Sequence, residues 1–165
     1  MQPDPAFGLL ELYDQALPHV YGYLLARCGQ RQLAEDLTAE TFLAAVDAVR
    51  RPGAPGLSVA WLIGVARHKL ADHWRRAERE QRSLRVFEGE PALDDPWDVE
   101  IDAIRARDVL AALGAHHRAA LTLRYVDGLP VRDVATHLDR TLHATEALLA
   151  RARNAFRRAY TGEEG

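Results

Sequence analysis

The sequence predicts an all-α protein with two small helical domains joined by an acidic flexible linker. Its aliphatic residues are mainly Ala and Leu, with few runs of the β-branched and aromatic residues typical of strands. Apolar residues recur at helical spacing, and one acidic stretch with Gly and Pro interrupts that pattern. Hydrophobic residues make up 48% and charged residues 27% of the chain, so a packed core is expected.

Three helices are predicted before the interruption. In the first, Pro18 lies inside the apolar pattern and is expected to bend or break the helix. The second extends over about 32–49 and ends before a loop rich in Pro and Gly at 51–56. Ser58 is the predicted N-cap of a third helix that continues to about Arg85.

Four helices are predicted after the interruption, and the last two form a helix-turn-helix. The first covers about 104–113, and the second ends at 127–128. Pro130 begins a short helix, 139–141 make a tight turn, and a longer basic helix covers about 142–160. This order predicts a helix-turn-helix. An ordinary helical hairpin with a solvated Arg face is the alternative.

Charge is distributed unevenly, although the net charge is only -3. Residues 67–85 hold seven Lys or Arg against three Asp or Glu, and 109–160 hold eight Arg against four. Between them, 86–102 hold seven acidic residues and no Lys or Arg. Two basic blocks that flank an acidic connector favour nucleic-acid binding. In the last helix the side chains available to phosphates or guanine edges are Arg151, Arg153, Arg157 and Arg158.

Other classes of protein are disfavoured. The single cysteine, Cys28, excludes an intramolecular disulfide and a Cys-rich zinc site, and it fits a reducing cytoplasm. The start does not resemble a signal peptide, and no stretch is apolar enough for membrane insertion. His68, Asp72 and His73 make at most part of a metal site. We therefore predict no catalytic residue, no metal, no cofactor and no small-molecule substrate, and hence a protein that is not an enzyme.

Several segments resemble the extracytoplasmic-function (ECF) sigma factors of the sigma-70 family. AEDLTAETFL at 34–43 is similar to region 2.2, and AWLIGVARHKLADHWRR at 60–76 is similar to regions 2.3 and 2.4. LTLRYVDGLPVRDVATHL at 121–138 and LARARNAFRR at 149–158 resemble region 4. The resemblance implies a region 2-like domain at 1–85, a linker at 86–102, a region 4-like domain at 103–160 and a tail at 161–165.

The resemblance implies a subunit that binds core RNA polymerase, through the β′ clamp coiled coil and the β flap, and initiates transcription at promoter DNA. It assigns polymerase docking to Asp36, Leu37, Glu40 and Phe42. Asp36 and Glu40, at i and i+4, place two carboxylates on one helical face, ready for partner arginines. Leu37 and Phe42 are expected to pack inward or at the contact edge. Without the resemblance, the acidic pair also fits a solvated surface.

The resemblance also assigns recognition and melting of the minus-ten element to the third helix. The residues that match are Arg67, His68, Lys69, Arg75, Arg76 and Arg79. Trp61 and Trp74, at helical spacing among aliphatic residues, are expected in the core rather than in base stacking. The acidic linker is either a solvated tether or a segment that imitates a nucleic-acid backbone inside the polymerase. An anti-sigma partner and a cytoplasmic, nucleoid-associated location are expected as well.

The predicted minus-thirty-five helix departs from the family pattern. Its candidate contacts are Arg140, Thr141, His143, Thr145, Glu146, Arg151 and Arg153. Glu146 and Leu148 stand at two positions that are usually basic in the family. Glu146 can accept from a cytosine amino group, so altered sequence preference is one explanation, and weak binding by region 4 alone is another. Asp139 suits the turn because Asp tolerates a left-handed backbone.

A free-standing helix-turn-helix regulator, with an N-terminal sensing or dimerisation domain, is the alternative function. Such a regulator shares the C-terminal signal but does not require the AEDL and AWL motifs. Promoter-dependent transcription with core polymerase distinguishes the two functions.

Overall fold

The computed structural model describes residues 5–53, 56–82 and 102–162, with side chains from residue 8 onward. All regular structure in these ranges is helical, which confirms the predicted all-α class. The chain divides into two compact units, Met1–Leu70 and Ala71–Gly165. The predicted linker lies outside the described residues except for Asp102.

The first unit contains α1 (Pro5–Cys28), α2 (Arg31–Arg50) and the first half of α3 (Val59–Arg82). The rings of Tyr13 on α1 and Phe42 on α2 meet edge to face, with centroids 4.8 Å apart. Its fully or almost fully buried side chains include Ala16, Val20, Leu24, Cys28, Ala34, Leu37, Ala45, Leu62, Ala66 and Leu70. Their three- and four-residue spacing on each helix is the pattern that the sequence predicts.

Pro18 lies inside α1 without breaking it, so of the bend or break expected there, the break is wrong. Proline lacks the N–H that the carbonyl of Asp14 needs within the helix. Both Pro18 and Asp14 are exposed, so water can take the place of the missing donor.

Ser58 begins α3 as the sequence predicts. Its Oγ accepts a hydrogen bond from the backbone N–H of Trp61, at 3.1 Å. Further along α3, Trp74 is only 4% exposed, which confirms its expected place in the core, whereas Trp61 is half-buried.

The second unit contains the end of α3 together with α4 (Ala103–Ala112), α5 (Ala115–Leu121), α6 (Val131–Leu138) and α7 (Leu142–Thr161). Val109, Leu121, Ala152 and Phe156 form one core cluster among α4, α5 and α7. After α5 the chain widens into a π-helical turn, Thr122–Val126, in which the N–H of Asp127 donates to the carbonyl of Thr122 at 2.9 Å. The sequence pattern does not predict this turn.

The turn between α6 and α7 satisfies the backbone of both helices. Asp139 has a φ of 53°, the left-handed conformation that the sequence predicts for it. The N–H groups of Arg140 and Asp139 donate to the carbonyls of Ala135 and Thr136, at 3.0 and 3.3 Å, which closes α6 with a Schellman motif. Thr141 then caps α7, because its Oγ1 accepts from the N–H of Ala144 at 3.1 Å.

We predict that Leu24→Ala lowers the free energy of unfolding by about 2–5 kcal/mol, because Leu24 has no exposed surface and its removal leaves a cavity. Urea denaturation followed by circular dichroism measures the change. Leu43→Ala is the matched control, since Leu43 is 64% exposed and its truncation should change stability by less than about 0.5 kcal/mol. Equal effects of the two variants would contradict the core assignment.

Candidate nucleic-acid and partner interfaces

An acidic face lies on α2. Asp36 and Glu40 are exposed one turn apart, and the Asp36 carboxylate accepts a hydrogen bond from the Gln32 amide at 3.0 Å. Leu37 is 2% exposed and Phe42 is 9% exposed, so these two side chains pack inward. The surface available to a partner is therefore the carboxylate pair, while Leu37 and Phe42 hold the helix in place.

A shallow apolar groove lies between α1 and α2. It has a volume of about 240 Å³, and Tyr13, Leu17, Tyr21 and Phe42 contribute to its walls. Leu43, on the same helix as the acidic pair, is exposed. Sequence reasoning did not identify this groove, because the apolar residues of α1 fit a buried stripe equally well.

The first half of α3 presents three of the predicted DNA-binding residues. His68 is exposed, and Arg67 and Lys69 are half-buried. The Arg67 guanidinium lies 5.9 Å from the centroid of the Tyr23 ring, which also carries the guanidinium of Arg27 at 3.6 Å. Two cations therefore share one tyrosine on this surface.

The second half of α3 carries the other predicted basic residues. Arg76 and Arg79 are exposed. Arg75 is paired with Asp72, and its Nη1 lies 3.6 Å from Oδ2 of Asp139 in the helix-turn-helix turn. Arg76 and Arg79 are thus accessible to an anion, whereas Arg75 already has carboxylate partners.

A half-open cleft of about 350 Å³ lies in the second unit, between the end of α3 and the helices around the turn. Four arginines contribute to its lining, namely Arg75, Arg79, Arg82 and Arg140. Burial lowers the pKa of Arg140, and the nearby charges of Arg82 and Arg151 lower it further, while Glu78 opposes them. Arg140 nevertheless remains a cation at neutral pH.

Glu78, in the lining of this cleft, is a buried acid on a basic helix. It is 7% exposed, and its Oε2 lies 2.8 Å from Nδ1 of His116. The two atoms are at ion-pair distance but outside hydrogen-bond geometry. Neither residue belongs to a motif, so the pattern of residues around them does not predict this contact.

Some of the predicted contacts of α7 lie on its exposed side and others do not. Thr145 is completely buried, and its hydroxyl donates to the carbonyl of Thr141 at 2.8 Å, so its side chain does not reach the surface. Thr141, His143 and Glu146 are exposed, and the Thr141 hydroxyl caps the helix.

The arginines of α7 lie further along the helix, where Arg151, Arg153 and Arg157 are half-buried and Arg158 is exposed. Arg151 lies close enough to Arg140 to lower the pKa of Arg140. The Nη1 of Arg153 donates to the hydroxyl of Tyr125 at 3.3 Å.

The described residues contain no group of three side chains suited to hold a metal ion. Cys28 is buried, and its Sγ donates to the carbonyl of Gln30 at 3.4 Å, as a small core residue would. Among the described helices, none has the length and apolar character that crossing a bilayer requires.

Comparison with known proteins gives matches in both units. Residues 12–80 match the family model of sigma-70 region 2, and residues 104–156 match that of sigma-70 region 4. A solved structure of the sigma factor RpoE in complex with the anti-sigma factor NepR from Bartonella quintana has a TM-score of 0.56 and 22% identity. The match covers 95% of this chain and 99% of that chain, and it supports the fold.

Curated relatives include three ECF RNA polymerase sigma factors. BldN of Streptomyces coelicolor is 32% identical over 153 residues, which cover 89% of this chain but only 57% of BldN. SigC of Mycobacterium tuberculosis is 33% identical over 125 residues, 74% of this chain and 68% of SigC. SigL of the same species is 32% identical over 136 residues, 77% of this chain and 74% of SigL. Since both region models match in order and these relatives align along the chain, it belongs to the ECF subfamily of the sigma-70 family of RNA polymerase sigma factors.

Proposed function

We propose that this chain binds core RNA polymerase, recognises promoter DNA and initiates transcription, without catalytic chemistry of its own. The observation that carries the proposal is the match to sigma-70 regions 2 and 4 in that order. The surfaces support it, because an exposed acidic pair lies within the first match and a basic helix-turn-helix within the second.

Docking to the polymerase is assigned to the acidic face of α2. Asp36 and Glu40 are exposed and suited to charge-assisted hydrogen bonds with arginines of the β′ clamp coiled coil. Leu37 and Phe42 are buried and pack on the opposite, inner side of α2, so they stabilise the helix that carries this face. The β flap is the proposed partner of the region 4-like part.

The minus-ten element is assigned to α3. Arg67, His68 and Lys69 lie along its first half, and Arg76 and Arg79 are exposed along its second. Basic side chains attract phosphates, and opening a base step costs a few kcal/mol, which contacts to the separated strand offset. Arg75 can also contact a phosphate if the phosphate replaces the Asp139 carboxylate as its partner, because carboxylate and phosphate oxygens are both anionic acceptors.

The minus-thirty-five element is assigned to the helix-turn-helix. Arg140 precedes α7, and Arg151 and Arg153 lie along it, so that their charges can meet phosphates on both sides of the exposed His143 and Glu146. Thr141 contributes by fixing the start of α7. Thr145 does not belong to the proposed contact set because its side chain is buried.

Two further partners complete the proposal. The acidic linker 86–102 follows the path of nucleic acid through the polymerase, in keeping with its seven acidic residues. An anti-sigma factor holds the chain inactive, by analogy with the complex of RpoE and NepR. The proposed place of action is the nucleoid, in the cytoplasm.

A run-off transcription assay with purified core polymerase tests the proposed function. We expect transcripts with defined start sites only when the chain and the core enzyme are both present. Binding of the chain alone to an operator, without start-site selection by the core enzyme, would instead indicate a free-standing regulator.

We predict that Asp36→Arg with Glu40→Arg weakens binding to core polymerase at least about a hundredfold, because like charges across an interface cost several kcal/mol. Fluorescence anisotropy of the labelled chain measures the affinity. The matched control is Asp47→Arg with Asp108→Arg, which changes the charge equally at two exposed positions on α2 and α4. Wild-type affinity of the first variant, with unchanged helical content, would overturn the docking assignment.

We predict that Arg76→Ala reduces open-complex formation and lowers the salt dependence of promoter binding by about one unit of log K against log salt, because one phosphate contact is lost. Filter binding of the holoenzyme over a salt series measures the slope. Arg50→Ala, at the exposed end of α2, should leave the slope unchanged. The same slope in all three proteins would remove Arg76 from the minus-ten surface.

A further inference from the structure

The first half of α7 has a sharply defined inner and outer side. The buried residues that fix the inner side are Thr145, Leu148 and Leu149. On the outer side His143 and Glu146 are exposed and Ala147 and Ala150 are half-buried. Leu142, one turn before Glu146, is 46% exposed. Because the Thr141 cap fixes where the helix begins, these outer positions have a definite register.

Glu146 is the charged centre of this outer side. Residues 142–150 contain no Lys or Arg, and Glu146 is their one acidic residue. Within the described part of the chain, the Glu146 carboxylate has no hydrogen-bond or ion-pair partner. Arg140 and Arg151, the arginines nearest to this segment in the sequence, lie just before and just after it. The outer side of α7 thus presents an unneutralised carboxylate between Arg140, which precedes the helix, and Arg151 within it.

The chemistry of the major groove restricts what such a carboxylate can bind. Phosphates repel it, so contact with DNA is favourable only where it meets a hydrogen-bond donor. The donors at major-groove base edges are the N4 amino group of cytosine and the N6 amino group of adenine. In adenine the acceptor N7 lies beside N6 and repels a carboxylate, whereas cytosine presents N4 alone on its own edge. Cytosine is therefore the base that suits Glu146.

We infer that Glu146 is a specificity-determining residue that accepts a hydrogen bond from cytosine N4 in the upstream promoter element. The inference rests on the proposed function, which places α7 in the major groove. Ala147 and Ala150 support it, since short side chains beside Glu146 allow the helix to approach the base edges closely. The absence of Lys and Arg from 142–150 also removes the side chains that read guanine with two hydrogen bonds.

Transcription from a promoter pool tests this inference. Core polymerase with the wild-type chain transcribes templates whose upstream element is randomised, and the transcribed templates are sequenced. We expect cytosine at one position to be enriched about tenfold, the lower range for one base-specific contact. Glu146→Ala should lose that preference. Glu146→Gln should shift it from cytosine to adenine, because a glutamine amide pairs with N6 and N7 of adenine.

The control and the outcomes separate this inference from the proposed function. Asp108→Ala removes an exposed carboxylate from α4 and should keep the wild-type preference. Circular dichroism establishes that Glu146→Ala remains folded. An unchanged base preference in folded Glu146→Ala overturns the inference while the proposed function stands. Absence of promoter-dependent transcripts with the wild-type chain overturns the proposed function, and the inference with it.

Discussion

Close packing of helices at alanine is the constraint on which both units depend. Ala16 on α1, Ala34 and Ala45 on α2, and Ala152 on α7 have no exposed surface. A methyl side chain lets helix backbones approach one another while it still buries apolar surface. Larger side chains at these positions would separate the helices and weaken the contacts of the leucines around them. The Ala-rich composition is therefore a packing requirement as well as a source of helix propensity.

The turn between α6 and α7 shows how a few residues determine which side of a helix is exposed. The left-handed Asp139 closes α6, and the Thr141 hydroxyl begins α7 two residues later. Because the C-terminus of α6 and the N-terminus of α7 are both capped, the start of α7 is fixed and Thr145 and Leu148 lie on its inner side. This register also determines which side chains of α7 are accessible. The turn therefore sets the position of Glu146 through the start of the helix.

Sequence reasoning anticipates those features that depend on neighbours along the chain. Ser58 as a cap, Asp139 in a left-handed turn and Trp74 in the core were all predicted and are all confirmed. Contacts between residues far apart in the sequence cannot be predicted from the local pattern. The contact of Glu78 with His116 joins α3 to α5, and nothing in the local sequence around either residue indicates it.

The expectations that the structure overturns fail for the same physical reason. The continuity of α1 through Pro18 depends on whether that turn faces water, which composition does not reveal. Thr145 has a small polar side chain that suits either a DNA contact or an internal hydrogen bond, and the packing of α7 decides for the latter. The identity of the family, by contrast, rested on motifs in both halves, and it is confirmed by the region 2 and region 4 matches.

The π-helical turn Thr122–Val126 has a consequence for the entropy of binding. Within it, Tyr125 is the residue whose hydroxyl accepts a hydrogen bond from the Arg153 guanidinium. A free arginine loses about 2 kcal/mol of rotamer freedom when it is fixed against a ligand. Arg153 has given up part of that freedom before any ligand arrives, so the anion contact proposed for it would cost less rotamer entropy. Because Tyr125 lies in the π-helical turn, the hydrogen bond that it accepts restricts the rotamers of Arg153 on α7.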